Sequence, residues 1–192
     1  DIVGNTGTIV GNTKKFKPDF DPMPGPGQSH GTFTTGCFGM MPDNGLGGAG
    51  TGFNCKIMIV KIANDTGYLY GGYEGINYAS THGAKIINCS WGGYVDMRTD
   101  APYVAYLQNI INTAIDNGVL IVAASGNDHL DIDVDSIHFV PASLKNILTV
   151  GASTETDVSA SFSNYGKTVG VYAPGTNIFS TDFPGDQVYN LS

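Results

Sequence analysis

The sequence predicts an α/β fold, a doubly wound and mostly parallel sheet with helices on both faces. Three observations lead there. Short continuous apolar runs rich in β-branched residues, at 56–62, 85–89 and 119–124, have the length and character of strands buried inside such a sheet. Stretches with apolar residues at helical spacing stand between those runs, so that strand and helix alternate and imply right-handed crossovers. Finally, 192 residues with 41% hydrophobic content are enough for one sizeable core and too few for two ordinary ones. A single domain over residues 1–192 is the expectation.

Taken in order, the elements follow from local chemistry. Residues 1–28 are dominated by Gly, Asn, Thr and Pro and read as loop, apart from a short strand around Ile9 and Val10. From His30 to Met41 small residues open a helix, which Pro42, Asp43, Asn44 and Gly45 end. A Gly-rich link to Gly52 turns the chain back into the strand Lys56–Ile62. Gly72–His82 is a helix with Tyr73, Ile76 and Ala79 or Ser80 on one face and Gly83 as its C-cap. After the strand Lys85–Cys89, Asp100 and Pro102 open a longer helix. Val104, Leu107, Ile111, Ala114 and Ile115 form its apolar stripe, and Gly118 closes it. The strand Val119–Ala124, an acidic loop, and strands at Ile147–Val150 and Thr168–Tyr172 complete the pattern.

Composition excludes some partners. A formal charge of -8 with only nine Lys and Arg, and no basic run, has the wrong sign for a nucleic-acid binder. No apolar run reaches the ~20 residues of a membrane span, and no signal peptide opens the chain, so an exported form is expected to have lost its targeting segment. Cys37, Cys55 and Cys89 are an odd number at no metal-ligand spacing. One disulfide at most is open to them, Cys37 with Cys55, and three free thiols are the expected outcome.

Three stretches carry chemistry. In the first, Ser29, His30, Gly31, Thr32, Phe33, Thr34, Thr35, Gly36, the imidazole of His30 can take and return a proton near neutrality, and Gly31 and Gly36 let other backbone approach. The second is Ile86, Ile87, Asn88, Cys89, Ser90, Trp91, Gly92, Gly93, and the third Val119–Val122 followed by Ala123, Ala124, Ser125, Gly126, Asn127. Both are apolar strands that end abruptly in small polar residues, at the carboxyl ends where open parallel sheets hold their ligands.

In this order the three stretches resemble the subtilisin-like serine proteases, or subtilases. The likeness continues through Val140–Ser143, Leu148–Ala152, Ser161–Asn164 and Tyr172–Gly175 and covers roughly residues 25–190. The resemblance implies a serine endopeptidase that works through an acyl-enzyme, with His30 as general base and the Asn127 amide donating to the developing oxyanion. Backbone from Ser90 through Trp91 and Gly92 to Gly93 would pair with an extended peptide or protein substrate. Ala124, Ser125 and Gly126 would wall the pocket for the side chain before the cut. Trp91 either lines an apolar subsite or packs in the core, and small walls suggest a preference for large apolar side chains. No cofactor is required by this chemistry, and a secreted or cell-surface location goes with it.

The letters also depart from the family. Subtilases carry an orienting Asp in a motif Asp, Ser or Thr, Gly, and neither Asp1, followed by Ile2, Val3 and Gly4, nor Asp19 and Asp21 in their Pro-rich loop match it. Val188, Tyr189, Asn190, Leu191 and Ser192 resemble the approach to the nucleophile helix, but Ser192 is not the nucleophile. A triad acts as a unit. The chain is therefore expected to be the central part of a catalytic domain, incomplete and inactive alone. Association is expected with it, through exposed sheet edges or with a chain carrying the missing parts. The alternative is a non-catalytic peptide-binding module of the same fold.

Lesser sites complete the reading. The loop Asp43–Gly50 has the position of a calcium loop of many subtilases and offers Asp43, Asn44 and carbonyls as hard ligands for a structural calcium ion, with a polar turn as the alternative. The acidic run Asp128, Asp131, Asp133, Asp135 is a solvated loop or a cation site. His82 and His138 read as helix-end and core-edge residues, and His129 as exposed. No metal-ligand set stands out.

Overall fold

A computed structural model describes residues 6–9, 16–19, 27–52, 54–64, 66–182 and 189–191. The chain divides into two compact units, Ile76–Thr176 and a second made of Asp1–Gly75 with Asn177–Ser192.

The unit Ile76–Thr176 contains the parallel sheet. Its strands β3 (Ile86–Cys89), β5 (Leu120–Ala124), β7 (Leu148–Ser153) and β8 (Val169–Pro174) lie side by side in the order β3, β5, β7, β8, all parallel. Strand order follows chain order apart from an interposed antiparallel pair, β4 (Gly93–Asp96) with β6 (Ile137–Val140). The long helix α3 (Met97–Asp116) crosses between β3 and β5 and packs against β5. Its apolar stripe, Val104, Leu107, Ile111 and Ala114, is buried as the spacing predicts. The sheet residues that share this core are Ile87, Cys89, Ile121, Ala123 and Thr149, alternate positions on neighbouring strands. The intervening positions Ile86, Leu120 and Leu148 are exposed, so one apolar face of the sheet stands open to solvent.

The other unit holds the hairpin β1 (Thr6–Ile9) with β2 (Phe16–Asp19), helix α1 (His30–Gly39), and the pair β9 (Phe179–Thr181) with β10 (Tyr189–Leu191). Helix α2 (Gly72–Thr81) spans the boundary between the two units.

Several expectations are corrected. Lys56–Ile62 forms no ladder with any described strand and is half-buried, its nearest pairing being the bridge from Ala63 to Leu69. Apolar letters fit a buried strand, but a strand exists only where a neighbour accepts its hydrogen bonds. The short strand expected around Ile9 and Val10 is present as Thr6–Ile9, with Val10 outside the described residues, and the stretch read as loop also holds its partner strand Phe16–Asp19. Helix α3 starts at Met97 rather than at Asp100, because the Asp96 carboxylate accepts the Arg98 N–H at 2.9 Å and caps it there. Strands β4 and β6 were not expected at all. All three cysteines are free, Cys89 buried, Cys37 half-buried and Cys55 exposed. Burial pushes the Cys89 thiol up to about 12. None of the described helices is long and apolar enough to cross a membrane.

Candidate functional site

His30 is the first residue of α1 and is exposed; Ser29 precedes it as the N-cap residue, and its carbonyl accepts the Phe33 N–H at 2.8 Å. Helix α1 has no wide apolar stripe, and small polar contacts hold it. The Ser180 hydroxyl of β9 donates to the Phe33 carbonyl at 2.6 Å, and the Thr181 hydroxyl donates to the Thr32 carbonyl at 2.9 Å. Gly36 is buried under these two residues, and any side chain there would run into both hydroxyls. At the far end the Gly-rich link folds back onto the helix. Gly50 N–H donates to the Met40 carbonyl at 2.9 Å and Gly52 N–H to the Phe38 carbonyl at 2.8 Å, with Gly50 lying flat on the Phe38 backbone.

The remaining predicted site residues belong to Ile76–Thr176 and are brought together there. Strands β3 and β5 are neighbours with Cys89 opposite Ala123, so Ser90, Trp91 and Gly92 leave the sheet beside Ala124, Ser125 and Gly126. Ser90 accepts from the Asn88 amide at 2.8 Å, Trp91 is half-buried, and Gly92 is exposed. The Phe139 ring lies against Gly92 and Gly126, leaving no room for a side chain at Gly92, and stacks at a tilt on Tyr94 with centroids 4.9 Å apart. Ser125 is buried, its N–H donating to the Val150 carbonyl at 2.9 Å and its hydroxyl to the Asn164 carbonyl at 3.2 Å. Gly126 has φ +104°, a backbone that side chains resist, and there the chain turns out of the sheet. Asn127 follows, exposed, with its carboxamide tied to no other described residue. Such a group is free to meet a ligand.

A buried residue that the motif reading passed over fixes this turn. Asn164 is fully buried and hydrogen-bonded to the loop on both sides of Asn127. Nearby, Tyr94 donates to the Asp128 carboxylate at 2.8 Å. Partial burial pushes the Tyr94 phenol above its ordinary range; donation from Asn164 opposes the rise and the bond to Asp128 adds to it.

The acidic loop is tied down by protein donors. Asp133 accepts from the Lys167 N–H, the Thr168 N–H and the Thr168 hydroxyl, and Asp131 accepts the Asp133 N–H at 2.9 Å. Burial by itself would raise the Asp133 carboxyl, but these donors together hold it below the usual range. In the loop Asp43–Gly50 the Asn44 carboxamide oxygen is engaged by the Leu46 N–H at 2.9 Å. No cluster of three His, Cys, Asp or Glu side chains suited to a metal ion occurs among the described residues. Of the oxygens offered for a calcium ion, that of Asn44 already serves a turn.

The triplet Asp65, Thr66, Gly67 has the letters of the orienting-Asp motif but follows His30 in the chain. Its frame is a tight turn: the Asn64 carboxamide oxygen accepts from Thr66 N–H at 3.0 Å and Tyr68 N–H at 2.9 Å, and Gly67 has φ +80°. Asp65 itself lies outside the described residues.

Comparison with known proteins agrees with the resemblance in sequence. The model of the Subtilase family matches residues 10–191. A thermophilic serine proteinase of Bacillus sp. (strain AK1) is 39% identical over 165 residues, covering 85% of this chain and 38% of that protein. Thermitase of Thermoactinomyces vulgaris is 34% identical over 178 residues, covering 91% of this chain and 58% of that protein. Among solved structures, a cold adapted subtilisin-like serine proteinase superposes with a TM-score of 0.71 at 25% identity, over 98% of this chain and 60% of that one. The chain thus spans about 40 to 60% of the length of these relatives.

Proposed function

Since this chain belongs to the Subtilase family, we propose that it works as part of a serine endopeptidase that hydrolyses peptide bonds through an acyl-enzyme, secreted or at the cell surface. A cell wall-associated protease of Bacillus subtilis and an extracellular protease of Xanthomonas campestris are among its relatives. The observation that carries the reading is the free carboxamide of Asn127 at the carboxyl end of β5, beside the segment Ser90–Gly92 that leaves β3. In this proposal an extended substrate pairs with Ser90–Gly93, and its side chain before the cut enters between Gly92 and Ala124–Gly126. The Phe139 ring lies against both Gly92 and Gly126, which supports a preference for an apolar side chain. His30 takes the proton of the serine nucleophile as it adds to the scissile carbonyl and later hands it to the leaving amine. Asn127 donates to the oxyanion; the known worth of one such donor, about 3 kcal/mol, was itself measured in a subtilase.

A triad member alone does not supply the chemistry, so the 192 residues by themselves are expected to be inactive. We propose in addition that they self-associate, since β3 is an edge strand among the described residues and Ile86, Leu120 and Leu148 are exposed apolar side chains. A monodisperse monomer in light scattering would refute the association. The enzymatic reading is tested with a fluorogenic peptide and the complete protein. Cleavage that His30→Ala lowers by about 10⁴-fold or more supports it. Peptide binding with no cleavage by the complete protein would replace it with the non-catalytic module.

A further inference from the structure

We propose that Asn164 is a positioning residue for Asn127, an assignment that rests on the oxyanion reading above. Asn164 is fully exposed to nothing but protein: its accessible surface is 0%. Its carboxamide oxygen accepts the N–H groups of Asp128 at 3.0 Å and Leu130 at 2.9 Å. Its amide nitrogen donates to the Ser125 carbonyl at 2.9 Å and to the Tyr94 hydroxyl at 2.9 Å. That is the full capacity of the side chain, two donors and two acceptor sites. The backbone repeats the pattern, the Asn164 N–H donating to the Gly126 carbonyl at 3.0 Å.

Every one of these bonds except that to Tyr94 reaches the stretch 125–130, on one side of Asn127 or the other. Asn127 itself is tied by none of them. One buried side chain thus fixes the backbone from which the free carboxamide projects. The task demands Asn chemistry, because a carboxylate has no donors for Ser125 and Tyr94, and a hydroxyl cannot bridge to two N–H groups and two acceptors together. Gly126 completes the fit, since a side chain there would strike the Asn164 amide. A donor acts on a developing charge only if it is already in place, so a loop released by a fraction of an ångström costs turnover rather than binding.

Two measurements test this. In the chain itself, Asn164→Ala should speed hydrogen exchange of the Asp128 and Leu130 amides by about tenfold or more while the strand amides of β5 and β7 keep their protection. Unchanged loop amides, or faster exchange throughout the sheet, would overturn the positioning role. In the complete protease, Asn164→Ala should lower kcat by about 10- to 100-fold with KM nearly constant, and the loss should vanish in an Asn127→Ala background. Equal losses in both backgrounds would again overturn it. Should the alanine variant not fold, Asn164→Ser, which keeps a small polar side chain at the site, is measured in the same way and is expected to show a loss of kcat in the same direction; wild-type kcat in that folded variant overturns the role. If Asn127→Ala leaves kcat unchanged while the loop amides do respond to Asn164→Ala, the oxyanion reading is what has failed.

Discussion

Helices α1 and α3 are built on opposite plans. Along α3, four apolar side chains, Val104, Leu107, Ile111 and Ala114, are buried, and the helix stays in place because leaving would expose them. Along α1, which carries His30, the residue buried is Gly36, and the helix is fixed by hydroxyl groups on its carbonyls and by the absence of a side chain. The apolar stripe is held by the area that it buries, whereas the hydrogen bonds and the glycine contact fix α1 through direction as well as distance. The second plan suits the role proposed for His30.

Four substitutions break or sharpen this contrast. Ile111→Ala removes buried methylenes from α3 and should cost about 2–5 kcal/mol in a urea or thermal unfolding measurement. Gly36→Ala forces a methyl group onto Ser180 and Thr181 and should cost about 1–3 kcal/mol, with peptide cleavage by the complete protease falling further than stability alone accounts for. If Gly36→Ala proved neutral in both respects, the tight fit of α1 would be refuted. Thr149→Val replaces a fully buried hydroxyl that donates to the Ala142 carbonyl at 2.7 Å, leaving that carbonyl without it at a cost of about 1–2 kcal/mol by the same unfolding measurement.

The smallest effect is one of pH. The Asp133 carboxyl is lowered in the folded chain, so its contribution to stability is complete above the ordinary Asp value and is lost as pH falls below about 4 through the lowered one. Asp133→Asn should therefore flatten the acid limb of a stability titration and leave neutral pH little changed. An unaltered acid limb would show that the donors from Lys167 and Thr168 add nothing.

What was legible in the letters follows the same division. The strands β3 and β5 announce themselves as continuous apolar runs, and helices α2 and α3 through periodicity, because burial of one stripe repeats along a helix. Ser90–Gly92 and Ala124–Asn127 are legible as abrupt ends of such strands. Strands β4 and β6 are not, since Gly93 pairs with Val140 across a stretch of chain that holds α3 and β5, and neither segment alternates. Lys56–Ile62 shows the converse, apolar letters that form no ladder with any described strand. Asn164 lies in a stretch that the family likeness includes, yet its role has no periodic signature. A buried carboxamide is revealed only by the four groups around it, which come from two other parts of the chain, residues 125–130 and Tyr94.

Cys89 gives the molecule a clock. Its sulfur sits at the end of β3 where that strand meets β5, sealed from solvent and held as an unreactive thiol. With Cys37 and Cys55 replaced by serine, a thiol reagent would label the protein only at moments when this edge of the sheet parts. The rate of labelling then reads the frequency of that breathing event directly, at each concentration of denaturant or degree of heat.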